Sequence, residues 1–203
     1  MFTILTIIIL IMSVVIHEVS HGYMADILGD PTARKQGRLS LNPLKHLDPV
    51  GSIIIPLITS LAGFTFGWAK PVPYNPYNLK NMRMGEFLIS LAGPMSNLIL
   101  ALVFGVIIRL SNIDTSALSA FVIVCSYIVV INIVLTIFNL IPLPPLDGSK
   151  ILFSILPHQY GRFRMVLEKY STIFILVVVF FLWQIISPII PFLFHLITGV
   201  GFM

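Results

Sequence analysis

Residues 2–27 read FTILTIIILIMSVVIHEVSHGYMADI, and this stretch decides what kind of protein the chain is. From Phe2 to Ile16 it carries no charge, no glycine and no proline. A helix of about 20 such residues crosses a ~30 Å hydrocarbon core. The run then changes character at His17-Glu18-Val19-Ser20-His21. On a helix, residues i and i+4 share a face. His17 and His21 can therefore hold one zinc ion through imidazole nitrogens, with Glu18 beside them to take a proton from a metal-bound water. A charged residue at the centre of a spanning helix costs ~3 kcal/mol on insertion scales. A Glu and two His closing an apolar run call for a functional reason.

The rest of the chain has the same texture. It is 57% hydrophobic and 10% charged over 203 residues, with a mean hydropathy of +1.00. Soluble domains carry about 25% charged residues. The length fits a single membrane-embedded peptidase domain over residues 1–203. The net charge of +4 reports membrane topology, because the basic residues sit between apolar runs; no nucleic-acid partner is expected. The one cysteine, Cys125, lies in an apolar run and reads as a small buried hydrophobe. The N-terminus has neither the positive leader nor the small-residue cleavage site of a signal peptide, so the first run is expected to be a retained helix.

Five apolar stretches cover residues 2–27, 50–66, 86–110, 117–141 and 172–197. The second is short and interrupted by Pro56 and Gly63, so it is expected to re-enter rather than cross. The basic residues agree. Arg34, Lys35, Arg38 and Lys45 precede that stretch, Lys70, Lys80 and Arg83 follow it, and Lys150, Arg162, Arg164 and Lys169 lie after the fourth. Arg109 alone lies elsewhere. If residues 50–66 do not cross, all three basic segments fall on one side, as the positive-inside rule favours. The expected fold is an all-α polytopic membrane protein in the cell membrane. It has about four transmembrane helices, a re-entrant apolar segment and a short extended or β element. That element is the proline-punctuated stretch from Phe66 to Tyr77, with Trp68 at the interface.

Two histidines need a third protein ligand, with the fourth position left to water. Asp26, Asp30, Asp48, Glu86, Asp114 and Glu168 lie at segment ends or in loops. Asp147 follows the fourth apolar run in NLIPLPPLDG, residues 139–148, where Pro142, Pro144 and Pro145 break the helix. Broken backbone at membrane depth is tolerated where it lines a cavity or is buried in protein. Asp147 can equally cap the next helix. In the four-crossing topology His17, His21 and Asp147 share a depth near the cytoplasmic face. His17 would lie roughly 22 Å into a ~30 Å core.

Taken together, His17 to His21, Gly93-Pro-Met-Ser-Asn97 and Leu146-Asp147-Gly148 resemble the marks of the site-2 protease family of intramembrane zinc metalloproteases. The runs LGDPTAR (28–34) and GRLSLNPLKHLDPVG (37–51) resemble its short prokaryotic branch, and no room is found for a PDZ domain. The resemblance implies one zinc per chain held by His17, His21 and Asp147, with Glu18 as base. It implies that Asn139 positions substrate or stabilises the oxyanion. It also implies an edge strand near residues 66–77 that pairs with unwound substrate. The expected partners are a transmembrane protein or peptide substrate and the lipid bilayer. The expected activity is regulated intramembrane proteolysis.

Other polar residues leave alternatives open. Gly93 and Pro94 can serve close helix approach or a kink, and Asn132 reads as an interhelical hydrogen-bond partner. Asn97 fits either that role or the site. His46 is either a solvated loop histidine or a neighbour of the site. His158 and His195 receive no role. A transporter would place its ionisable groups nearer the midplane and show repeated halves, which this chain does not. A metal-binding protein without catalysis differs from an enzyme only at Glu18.

Overall fold

The computed structural model describes residues 2–48, 70–111, 120–157, 160–171 and 183–202. The expected re-entrant stretch at 50–66, the adjoining Phe66 to Trp68 and the first part of the last apolar run fall outside these residues. Among the described residues the regular structure is helical. Three helices are long and apolar enough to span a membrane. They are α1 (Phe2–Ile27), α3 (Met82–Leu110) and α4 (Ala120–Leu140). Shorter helices are α2 (Thr32–Lys35), α5 (Asp147–Ile155), α6 (Gly161–Lys169), α7 (Trp183–Ile186) and α8 (Ile189–Thr198).

α1 ends where Gly29 adopts a left-handed φ of 107°, and the Asp30 N–H returns to the Ala25 carbonyl at 2.9 Å. α3 starts on an Asn81 cap, whose side chain accepts the Met84 N–H at 3.1 Å. It is the central helix, packed against α1, α4, α5 and α8. Pro142 and the following prolines stop α4, and the chain restarts as α5 at Asp147.

Several polar side chains point into this bundle and many large apolar ones point out. Ser13, Asn97, Asn132 and Thr136 are buried, whereas Ile4, Ile8, Ile99 and Val103 are exposed. That is how a bundle packs when lipid supplies the apolar surroundings. Asn132 donates to Ser13 Oγ across α4 and α1 at 2.9 Å, the interhelical role the sequence suggested. Cys125 is buried in a hydrophobic cluster with Val129, Ile133 and Phe194.

The three basic segments meet at one end of the bundle. Arg38 donates to the Lys70 and Pro71 carbonyls at 2.8 and 3.2 Å. Arg83 caps the C-terminus of α5 through the Ser154, Ile155 and Leu156 carbonyls at 3.0, 3.0 and 2.6 Å. The Lys70 N–H donates to the His46 carbonyl at 2.9 Å, so the chain reaches and leaves residues 49–69 at the same place. Residues 70–75 carry no regular secondary structure, and no strand occurs among the described residues. Pro71 and Pro73 have no N–H to contribute to a ladder. His46 is buried and bonded to the Ser40 carbonyl at 2.8 Å, so it is neither a solvated loop histidine nor part of the His17 cluster.

Replacing Asn132 with Leu should remove one helix–helix bond and cost roughly 1 kcal/mol. Thermal unfolding in detergent should then shift down by a few degrees, with metal content unchanged.

Candidate metal centre

His17 and His21 lie one turn apart on α1, with ring centroids 4.6 Å apart and Nε2 atoms 3.0 Å apart. Asp147, the first residue of α5, brings Oδ2 to 3.1 Å from His17 Nε2 and 3.2 Å from His21 Nε2. All three residues are buried. Among the described residues they form the group of side chains able to hold a metal ion. Asp147 does not serve as an N-cap, because Leu146 holds that position and the carboxylate reaches across to α1 instead.

Hydrogen bonds on the far side of each ring set its protonation. His21 Nδ1 lies 2.6 Å from the Ile89 carbonyl, which can only accept. The proton therefore sits on Nδ1, and Nε2 presents a lone pair. His17 Nδ1 lies 3.1 Å from the Asn97 amide. A half-turn of that amide places its oxygen, buried and otherwise without a partner, onto a protonated Nδ1. His17 Nε2 then also presents a lone pair. With both rings neutral, two imidazole lone pairs and a carboxylate oxygen face one another, and a cation among them, a metal ion or a proton, joins them. Tetrahedral zinc with ligand distances of about 2.0–2.1 Å has donor-to-donor edges of roughly 3.3 Å. The observed separations of 3.0–3.2 Å suit that edge.

Two glycines make this convergence possible. A Cβ at Gly93 would stand 2.5 Å from His21 Cε1 and 2.6 Å from His17 Cε1. Gly93 and Asn97 share one face of α3, so the same stretch makes room for the rings and supplies the partner of His17. A Cβ at Gly148 would stand 2.5 Å from the Leu140 carbonyl carbon, so Gly148 lets α5 close against the end of α4.

Glu18 is outside the donor cluster. Its Oε2 accepts the Val72 N–H at 3.0 Å, and its side chain lines a cleft with His17, His21, Asn139 and Asp147. Asn139 stands on the cleft wall and donates one amide hydrogen to the Leu135 carbonyl at 2.9 Å. The amide group has a second hydrogen. Lys150 also lines the cleft, with Nζ 3.9 Å from Asp147 Oδ1. Sequence reasoning did not find the Ile89 carbonyl, because backbone partners leave no residue-type signal. It left Asn97 undecided and did not foresee the Val72 bond to Glu18.

The profile of peptidase family M50 matches residues 105–185. The chain is 43% identical over 173 residues to a Bacillus subtilis protein named "Putative zinc metalloprotease YwhC", covering 83% of this chain and 76% of that one. It is 32% identical over 139 residues to the Mycolicibacterium smegmatis protein named "Putative zinc metalloprotease Rip2", covering 68% of this chain and 52% of the relative. For the Mycobacterium tuberculosis Rip2 the identity is 28% over 169 residues, covering 82% and 63%. No solved structure gives a significant match. Extended similarity to a zinc metalloprotease, together with the profile match, makes this chain a member of peptidase family M50, the site-2 protease type of zinc metalloprotease.

Proposed function

We propose that residues 1–203 act as one membrane-embedded peptidase unit that cuts other membrane proteins within or next to their transmembrane segments. In this reading His17 Nε2, His21 Nε2 and Asp147 Oδ2 hold the zinc and Glu18 is the catalytic base. The observation that carries it is the meeting of three electron-pair donors, two of them with hydrogen bonds behind them, beside a carboxylate outside the donor set.

Zinc bound there supplies a Lewis acid for the scissile carbonyl and makes water acidic enough to lose a proton near neutrality. Glu18 accepts that proton on the oxygen not engaged by Val72 and delivers it to the leaving nitrogen. Asn139 lines the cleft and has a second amide hydrogen that would stabilise the developing oxyanion. A spanning helix has its peptide groups internally bonded, so substrate unwinds before attack. Unwound groups cost several kcal/mol each if left unpaired in lipid. Pairing with the backbone near residues 70–75 would lower that cost, which is the edge-strand role.

The site lies near the cytoplasmic face in this reading. The described residues on either side of 49–69 meet at the end of the bundle that gathers the basic loops, which supports a topology with those loops together on the cytoplasmic side.

Purified protein should carry about one zinc, and His17→Ala, His21→Ala or Asp147→Ala should each deplete it on metal analysis. Glu18→Gln should keep zinc and abolish cleavage of co-expressed single-span membrane proteins. Asn97→Leu leaves the His17 Nδ1–H without an acceptor and should weaken zinc about 10- to 100-fold in chelator competition. For topology, single cysteines replacing Lys45, Lys80 or Arg162, in a Cys125→Ser background, should resist an impermeant reagent added outside intact cells. A cysteine replacing Ser111 should react.

A further inference from the structure

We propose that Asp30 and Arg38 are positioning residues that set the carboxylate of Glu18 through the backbone of residues 70–75. The proposal rests on the reading of Glu18 as the base. Asp30 is an unusual loop acid because it is fully buried. Its Oδ1 accepts from the Thr32 N–H, the Thr32 hydroxyl and the Asn78 amide at 3.2, 2.5 and 2.7 Å, and its Oδ2 accepts the Asn75 N–H at 2.6 Å. Burial pushes the Asp30 carboxyl up, but these hydrogen bonds outweigh it and hold the group below its usual range. A loop acid that only needed solvation would not be placed here.

Asp30 lies three residues past the end of α1, the helix that carries Glu18, and is tied to it by its own N–H. It therefore fixes Asn75 relative to Glu18. Arg38 fixes the other end of the same segment through the Lys70 and Pro71 carbonyls. Between these anchors Val72 packs on α1, where a Cβ at Gly22 would stand 2.7 Å from Val72 Cγ1. Its N–H then meets Glu18 Oε2 at 3.0 Å.

The register of this segment has no tolerance. Pro71 and Pro73 lack an N–H, so Val72 supplies the one backbone donor of residues 71–73. A slip by one residue in either direction presents a proline to Glu18. The clamp thus holds one carboxylate oxygen and leaves the other for the proton. Misplacement of a catalytic group by about 1 Å can cost as much as 10²-fold in rate.

The same prolines make a test possible, because Val72 carries the one exchangeable amide in 71–73. Full-length zinc-loaded Asp30→Asn and Arg38→Met are compared with wild type in detergent by hydrogen exchange and by cleavage of a fluorogenic single-span peptide. Asn at position 30 keeps an acceptor for Thr32 and Asn78 but turns an NH₂ toward the Asn75 N–H. Both variants should raise Val72 exchange about tenfold or more, with the amides of α1 around His17 unchanged. Both should lower kcat about tenfold, with KM within about twofold and zinc retained. Arg38→Met acts on the opposite anchor and carries the test if Asp30→Asn does not fold. Unchanged Val72 exchange overturns the proposal. So does raised exchange with wild-type kcat, or a loss confined to KM. Glu18→Gln run alongside separates the two levels. If it stays active, the base assignment fails; if it is inactive while both clamp variants keep wild-type kcat, only the clamp fails.

Discussion

Inside the helix bundle, two imidazole nitrogens and a carboxylate oxygen stand 3.0–3.2 Å apart, each presenting electron pairs to the others. With both rings neutral, these three atoms call for a cation between them, and low-dielectric surroundings strengthen that demand. The binding free energy of a metal ion held there would also be folding free energy. The remaining features of the bundle follow from keeping these three atoms together. α3 must approach α1 closely enough for Gly93 to lie against both rings, and α5 must close on α4 over Gly148. The outer nitrogens must be bonded so that neither ring turns its proton inward, which Ile89 and Asn97 provide.

A second layer lies at the end of the bundle where the basic segments meet. Arg83 closes α5, Arg38 holds residues 70–71, and Asp30 holds residues 75–78. These contacts join loops from three parts of the chain into one platform beside the cleft. Asp26 and Arg34 add an ion pair at its exposed edge, and such pairs contribute little to stability. The buried Asp30 is the stronger element, since each group bonded to it would lose a charge-assisted partner if it were removed.

Much of the centre was legible in the sequence because its chemistry needs particular residue types at fixed spacing. His17 and His21 at i and i+4 state a helix face, and Asp147 after a proline break states a chain that returns to the same depth. Apolar length suggested about four spanning helices, and three of them stand among the described residues. What could not be read depends on the backbone or on long-range contacts. The Ile89 carbonyl and the Val72 N–H belong to residues whose side chains say nothing about them. Asp30 looked like an ordinary acid at a helix end, because its burial arises from residues 75–78, more than forty positions away. Asn132 read as an interhelical partner, and Asn97 fitted either that role or the site. Only packing separates the one on a histidine from the one on a serine.

Zinc K-edge X-ray absorption on the purified protein reports which atoms meet at the His17, His21 and Asp147 cluster. The spectrum should show a four-coordinate first shell of nitrogen and oxygen at about 2.0–2.1 Å, with the outer-shell scattering of two imidazoles and no sulfur. A shell containing sulfur, or the signature of fewer than two imidazoles, would contradict that cluster as the zinc site.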